Sequence, residues 1–384
     1  MSAAYITRVG AFLPNTPVGN DAMESVLGQI GDRPSRARRI ILRKNGIRSR
    51  HYAIDPRTRS ATHTGAQLAA EAVRRLGDGA FALDEIDCLA AGTSLADQLL
   101  PGHASMVQGE LGAAPCEIVS TAGVCVSGMS ALKFAYLGVC AGAYRRAVAC
   151  ASEVASAILR AEAFPPPTAE TPDRLGALAR RPELAFEQDF LRWMLSDGAG
   201  AVLLEPEPRR DRSSLRVDWI DIKSYANEME PCMYAGAEKA ADGTLRGWLA
   251  HTPEQRAHGS VMAIKQDVRL LNEKVVHYTA ERALTELAAR RALIPQQIDY
   301  FLPHYSSAYF RDPLDEAMRK ASFHIPQDRW FTNLATCGNT GSASIYIMLE
   351  ELWRQGELRQ GERILCYVPE SGRFSVAYAL LTVV

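Results

Sequence analysis

Thr121-Ala-Gly-Val-Cys125-Val-Ser-Gly-Met-Ser130 is the stretch on which the reading of this chain turns. The residues before the cysteine suit an extended segment, and those after it open a long apolar helix, Val126–Val139. The junction sets a sulfur among residues too small to hide it. At a helix N-terminus a thiolate meets unpaired backbone N–H groups and the positive end of the helix dipole. A lowered thiol pKa and a nucleophile at neutral pH are therefore expected. That points to acyl transfer, with the acyl group carried on Cys125. The helix itself is almost without charge, so it is expected to be buried on all sides, with Gly128 and Ala131 admitting a neighbouring backbone.

Outward from this segment, short strand-like runs alternate with helical stretches, which predicts an α/β fold with buried sheets. The strand candidates are Ala4–Leu13, Asp87–Thr93, Ala147–Glu153, Gly200–Leu204, Leu215–Ile222, Ile298–Pro303, Arg363–Val368 and Val376–Val384. The helix candidates, besides the one after Cys125, are Gly65–Leu76, Met262–Arg291, Ala308–Ala321 and Ser342–Arg354. Residues 161–188, with Pro165–Pro167, and residues 223–259, polar and Gly-rich, read as insertions that carry lids or binding surfaces. A charged break at Glu205–Ser213 divides the chain into halves, 1–206 (with an insertion at 155–190) and 207–384. No repeat is legible by identity.

A net charge of −1 over 384 residues gives no electrostatic case for nucleic acid or an anionic membrane as partner. The basic run from Arg33 to Arg50 is local. No window reaches about eighteen apolar residues, and the N-terminus lacks a signal-peptide pattern, so a soluble, cytoplasmic protein is expected. The eight cysteines include no CxxC pair. Several sit in apolar runs as small reduced hydrophobes, and neither a metal site nor a cofactor is expected.

Two further motifs join Cys125. Phe301-Leu-Pro-His304 sets a histidine at the end of an apolar strand, where active-site groups of α/β sheets converge. Cys337-Gly-Asn339-Thr-Gly sets an asparagine in a small-residue loop that opens a helix. A neutral imidazole and an amide can together stabilise an enolate oxygen. In Glu370-Ser-Gly372-Arg-Phe374 the glycine N–H is placed to complete an oxyanion hole with the N–H of Cys125. Glu153, at a strand end, is a candidate acid/base.

Taken together these segments resemble the ketoacyl-acyl carrier protein synthase III family of the thiolase-like superfamily, over nearly the whole chain. The resemblance rests on Val9–Pro14, Asn45–Arg50, Gly92–Ser94, Ser105–Gly112, the Cys125 segment, Ala151–Glu153, Ser196–Gly200, Pro303-His304, Gly338–Thr340 and Ser371–Phe374. It implies a five-layer αβαβα fold of two similar halves and a homodimer. It also implies Cys125 as acyl acceptor, His304 and Asn339 as enolate or oxyanion stabilisers, and Gly372 as the second oxyanion donor. Two departures stand out. Family members that use CoA have a tryptophan stacked on adenine where this chain has Ile40, and Arg373 replaces a third glycine. Losing a stacking face worth about 1–3 kcal/mol favours a carrier-protein thioester over CoA.

The segment Ala91–Val107 is similar to a branch of secondary metabolism that joins two β-ketoacyl chains into dialkylresorcinol or cyclohexanedione precursors, with Glu153 as acid/base for ring closure. Gln98, Leu99, Leu100 and Met106 are expected to line the acyl tunnel across the dimer interface. Arg33–Arg50 and Arg180-Arg181 are the candidate carrier-docking residues. An acyltransferase acting on oxygen or nitrogen, or a non-catalytic partner subunit, is the alternative. The retained His304 and Asn339 disfavour the first, and the retained Cys125 the second. Thiolase chemistry lacks its second catalytic cysteine, since Cys337 and Cys366 read as packing residues.

Overall fold

The structure is a computed structural model that describes residues 3–30, 38–77, 79–163, 191–240, 242–258 and 261–384. Residues 33–37 of the basic run, Pro165–Pro167 and Arg180-Arg181 lie outside the described residues.

Nine strands form the main sheet: β1 (Tyr5–Phe12), β2 (Cys88–Thr93), β3 (Glu117–Ala122), β4 (Ala147–Glu153), β5 (Gly198–Glu205), β6 (Leu215–Ser224), β7 (Tyr300–Pro303), β8 (Arg363–Glu370) and β9 (Ser375–Val383). Their order is β7-β8-β9-β6-β1-β5-β4-β2-β3. The two sides join where Tyr5 and Ile6 of β1 pair with Arg216 and Leu215 of β6. Each side follows the same order. In the first, counted along the chain, the third strand is at the edge, then the second, fourth, fifth and first. In the second half a single parallel bridge between Phe301 and Trp330 stands where a third strand would be. This is the thiolase-like fold of two similar halves.

Helices fill the layers between and outside. The helices α1 (Gly65–Arg74) and α2 (His103–Leu111) cover one outer face, with Leu68, Val73 and Val107 packed against Leu89 and Val148. At the centre lie α3 (Val126–Cys140) and α7 (Ser344–Arg354), which bury Met129, Leu132, Tyr346 and Met348 with strand residues of both halves. On the far face α4 (Val268–Val276), α5 (Ala283–Arg291) and α6 (Arg311–Lys320) pack on Phe301, Tyr367 and Tyr378. A Cβ on Gly128 would run into the Ser342 carbonyl and lie 3.1 Å from Tyr346, so only glycine lets α3 and α7 approach this closely. Tyr346 seals the contact by donating its hydroxyl to the Gly128 carbonyl at 2.7 Å.

Two expectations are corrected. The single helix expected over Met262–Arg291 is broken. Lys265–Gln266 is extended and pairs with Met233–Tyr234, Asp267 caps α4 by accepting from the Leu270 N–H at 2.9 Å, and a π-helical turn, His277–Arg282, separates α4 from α5. And α3 is not buried all round: Leu137 is 48% exposed, on a face of the helix that the buried Ala135, Val139 and Cys140 do not share.

Candidate active site

Three separate segments of the chain meet at one cavity. After β3 the chain passes Gly123 and Val124 and enters α3, which sets Cys125 at the helix cap. After β7 comes His304, whose N–H donates to the Tyr367 carbonyl at 2.8 Å and so extends the strand pairing by one residue. Asn339 precedes α7. Its backbone is clamped on both sides, its N–H donating to the Met194 carbonyl at 3.0 Å and its carbonyl accepting from Ser196 at 2.8 Å. Its Oδ1 accepts from the Gly341 N–H at 3.0 Å, so the amide is oriented with its NH2 as the remaining group.

Cys125, His304 and Asn339 all line a cavity of about 990 Å³, counted with its open mouth. The other walls are mainly apolar: Ile158 and Leu195, Leu271 and Val275 of α4, Leu314 of α6 and Phe310 just before it. Glu153 also lines it. That carboxylate is buried, and its Oε1 accepts four hydrogen bonds: from the N–H and hydroxyl of Ser94 at 3.0 and 2.7 Å, and from those of Ser342 at 3.1 and 2.5 Å. Its Oε2 takes none from the described residues. Gly341, with φ at +53°, packs so closely that a Cβ there would lie 2.9 Å from the Glu153 side chain.

The electrostatics differ from what the helix terminus alone suggests. The Cys125 thiol is pushed up, not down, first by burial and then by the negative charges of Glu153 and Glu370. Burial and two nearby carboxylates act against the partial charge of the helix end. Burial lowers His304 to about 4, so its imidazole is neutral at physiological pH and can donate a hydrogen bond without carrying charge. Burial raises the Glu153 carboxyl above its usual range, against the pull of its four donors.

The expected oxyanion donor is also occupied. The Gly372 N–H donates to the Glu370 carboxylate, whose other oxygen accepts from Ser375 N–H at 3.0 Å. Gly372 is therefore not an open donor as the chain stands, although Pro369 and Ser371, just before it in the chain, reach the cavity wall. Gln98, Leu99, Leu100 and Met106 do not line the cavity. Leu99 and Leu100 are 71% and 85% exposed, and Met106 packs with the outer cluster under α1 and α2. Arg50, at the end of the basic run, is fully buried with two nitrogens on the Trp193 carbonyl, so it holds the fold and cannot dock a partner. Asn45 does likewise, donating to the same carbonyl at 2.9 Å. The wall residues Ile264, Gln266, Leu271, Val275, Phe310 and Leu314 were not singled out by the sequence, since each reads as ordinary core. Among the described residues no cluster could hold a metal ion, and no helix is long and apolar enough to cross a membrane.

With this geometry in place, similarity to known proteins can be set beside it. Residues 288–380 match the family described as 3-Oxoacyl-[acyl-carrier-protein (ACP)] synthase III C terminal. The chain is 26% identical over 366 residues to a beta-ketoacyl-[acyl-carrier-protein] synthase III of Bordetella petrii, covering 95% of this chain and 94% of that protein. A protein of the same description from Ruegeria pomeroyi is 25% identical over 366 residues, covering 94% of each chain. Among solved structures, the OleA E117D variant of Xanthomonas campestris superposes with a TM-score of 0.73 at 18% identity, covering 99% of this chain and 96% of that one. AbyA1, a tetronic acid condensing enzyme, superposes with a TM-score of 0.71 at 18% identity, covering 99% of each. These two structures share the fold.

Proposed function

We propose that the chain is a condensing enzyme of the ketoacyl synthase III type, which loads an acyl group on Cys125 and joins it to a second thioester by a Claisen reaction. The observation that carries the proposal is the convergence of Cys125, His304 and Asn339, from three separate segments of the chain, on one mainly apolar cavity.

In the first half-reaction the sulfur of Cys125 attacks the carbonyl of a carrier-bound thioester. Charge on the tetrahedral oxygen is met by the Cys125 N–H, and the carrier thiolate leaves with the proton that the Cys125 thiol gave up. In the second, loss of CO2 from a malonyl thioester, or loss of a proton from a β-ketoacyl thioester, leaves an enolate. The neutral His304 and the amide NH2 of Asn339 donate to its oxygen, and each such donor is worth about 10²–10³ in rate. The enolate carbon then attacks the acyl carbonyl and expels the Cys125 thiolate. Where a proton must be removed, Glu153 is the base. Its Oε1 is tied down by four donors while Oε2 takes none, and a carboxylate raised by burial is a stronger base than a solvated one. The same group would serve a later ring closure to a cyclohexanedione or resorcinol precursor.

Carrier protein, rather than CoA, fits the surface at Ile40. That residue is 51% exposed and offers no aromatic face to an adenine. Retention of both His304 and Asn339 favours carbon–carbon bond formation over transfer to oxygen or nitrogen.

The test is to mix the protein with an acyl-carrier thioester, measure its intact mass, and then add a second β-ketoacyl carrier thioester. An acyl adduct on Cys125 that is absent in Cys125→Ala, followed by release of a condensed product, is expected. An adduct that persists in Cys125→Ala would sink the proposal. A linear product alone would remove ring closure and leave the condensation.

A further inference from the structure

One charged group beside the nucleophile has no part in the chemistry above. Glu370 is buried, and both of its carboxylate oxygens accept from backbone N–H groups of its own turn, one from Gly372 and the other from Ser375 at 3.0 Å. Side chains alternate along β8 and just past it. Tyr367, Pro369 and Ser371 line the cavity, while Cys366 and Val368 pack into the central layer with Val126 and Met129 of α3. Glu370 shares that second face, and its negative charge reaches the Cys125 thiol.

The turn is anchored from outside. The Gly372 carbonyl accepts from the Cys232 and Met233 N–H groups at 2.7 and 3.3 Å, and the Phe374 carbonyl from the Tyr225 N–H at 3.0 Å. Arg373 Nε donates to the Met229 carbonyl at 2.6 Å. Gly372 packs on the residue before the nucleophile, since a Cβ on it would lie 3.1 Å from Val124 Cγ2. These contacts hold Gly372 beside the start of α3 without help from Glu370. The carboxylate, by contrast, is bonded among the described residues only to N–H groups of the turn. Moving it away leaves the turn in place and frees the Gly372 N–H.

We infer that Glu370 is a positioning residue that closes the oxyanion hole of the resting enzyme. Its carboxylate holds the Gly372 N–H, and an incoming thioester must displace it before that N–H can join the Cys125 N–H on the thioester oxygen. This rests on the loading of Cys125 proposed above and adds a control on it. One hydrogen bond of Gly372 is exchanged for another, from carboxylate to thioester oxygen. A charged acceptor holds an N–H more strongly than a neutral carbonyl does, so the closed form prevails without substrate and its opening slows acylation.

The experiment compares two reactions of one sulfur in the whole protein. Alkylation by iodoacetamide needs the thiolate but no oxyanion hole, whereas acylation by an octanoyl- or 3-oxooctanoyl-carrier thioester needs both. Each is followed at Cys125 by peptide mass at one pH, and the ratio of acylation to alkylation rate cancels what a variant does to the thiolate fraction. In Glu370→Ala and Glu370→Leu the ratio should rise by about tenfold or more, a part of the roughly 10²–10³ that an oxyanion donor is worth. Glu370→Gln removes the charge but keeps an oxygen for the Gly372 N–H, and should raise the ratio less than either. Two variants lacking an acceptor are used so that a folding defect in one leaves the other readable. A ratio unchanged or lowered in both overturns the inference. So does an equal rise in all three variants, which would make the charge alone responsible. A Cys125 that is alkylated but takes neither thioester, in the parent or in any variant, would instead strike the condensing-enzyme reading itself.

Discussion

At the scale of single residues, the thiol of Cys125 is where position and environment pull in opposite directions. The helix cap favours a thiolate, but burial and the carboxylates of Glu153 and Glu370 raise the thiol above its ordinary value of 9.0. The free enzyme therefore holds a protonated sulfur at neutral pH. Thiolate forms only as pH climbs beyond that of a free cysteine, so alkylation by iodoacetamide should be slow at pH 7 and still rising past pH 9. Glu370→Gln removes one negative charge while keeping an oxygen for the Gly372 N–H, and it should move the midpoint of the alkylation curve to lower pH. A curve already flat by pH 7 in the parent would show that the helix terminus prevails. The position and chemical type of this residue were legible in the sequence, as were His304 and Asn339. The state of the sulfur was not, because it depends on charges brought from residues 153 and 370 by the fold.

At the scale of elements, the site depends on how closely α3 and α7 approach, since Cys125 caps the first and Asn339 leads into the second. Gly128 is the point of contact. Gly128→Ala must push the Ser342 backbone away, and an overpacked core position of this kind costs about 1–3 kcal/mol. Gly109 makes the control. It lies in the exposed part of α2, with nothing within 4 Å of an added Cβ, so Gly109→Ala should stabilise by about 0.5–1 kcal/mol through helix propensity. Thermal melts of the two variants should shift in opposite directions. A Gly128→Ala variant as stable as the parent would mean that the two helices have slack between them. Elements with a clear period or an apolar run, such as β4 and α3, were legible in the sequence to within a residue or so. The edge strand β3, with its Glu117, Ser120 and Ala122 exposed, carries no such pattern and was missed as a strand. The break inside Met262–Arg291 was hidden for another reason. Its apolar residues keep helical spacing, while the extension of Lys265–Gln266 is imposed by pairing with a distant strand.

For the whole molecule, the two halves repeat one strand order without repeating a sequence, so the symmetry is visible only in topology. That symmetry explains the site. Cys125 follows the third strand of the first half and Asn339 follows the Phe301–Trp330 bridge that stands for the third strand of the second; each leads into a central helix. The sequence offered the motifs but not this equivalence, because nothing in residue identity encodes which ends face one another across a core. The same order leaves β3 as an open sheet edge, and exposed edges are ordinarily covered or paired. Leu99 and Leu100, 71% and 85% exposed, lie in the segment that follows the neighbouring strand β2. We propose that this end of the sheet is the homodimer contact. Two adjacent exposed leucines would then lose about 1.5–3 kcal/mol each of burial if made polar. Light scattering should therefore give the parent twice the mass of the chain, and the Leu99→Asp/Leu100→Asp double variant the mass of one chain at micromolar concentration. A parent that runs as a monomer would remove the dimer from the account. A variant that stays dimeric would keep the dimer and place its contact away from these leucines.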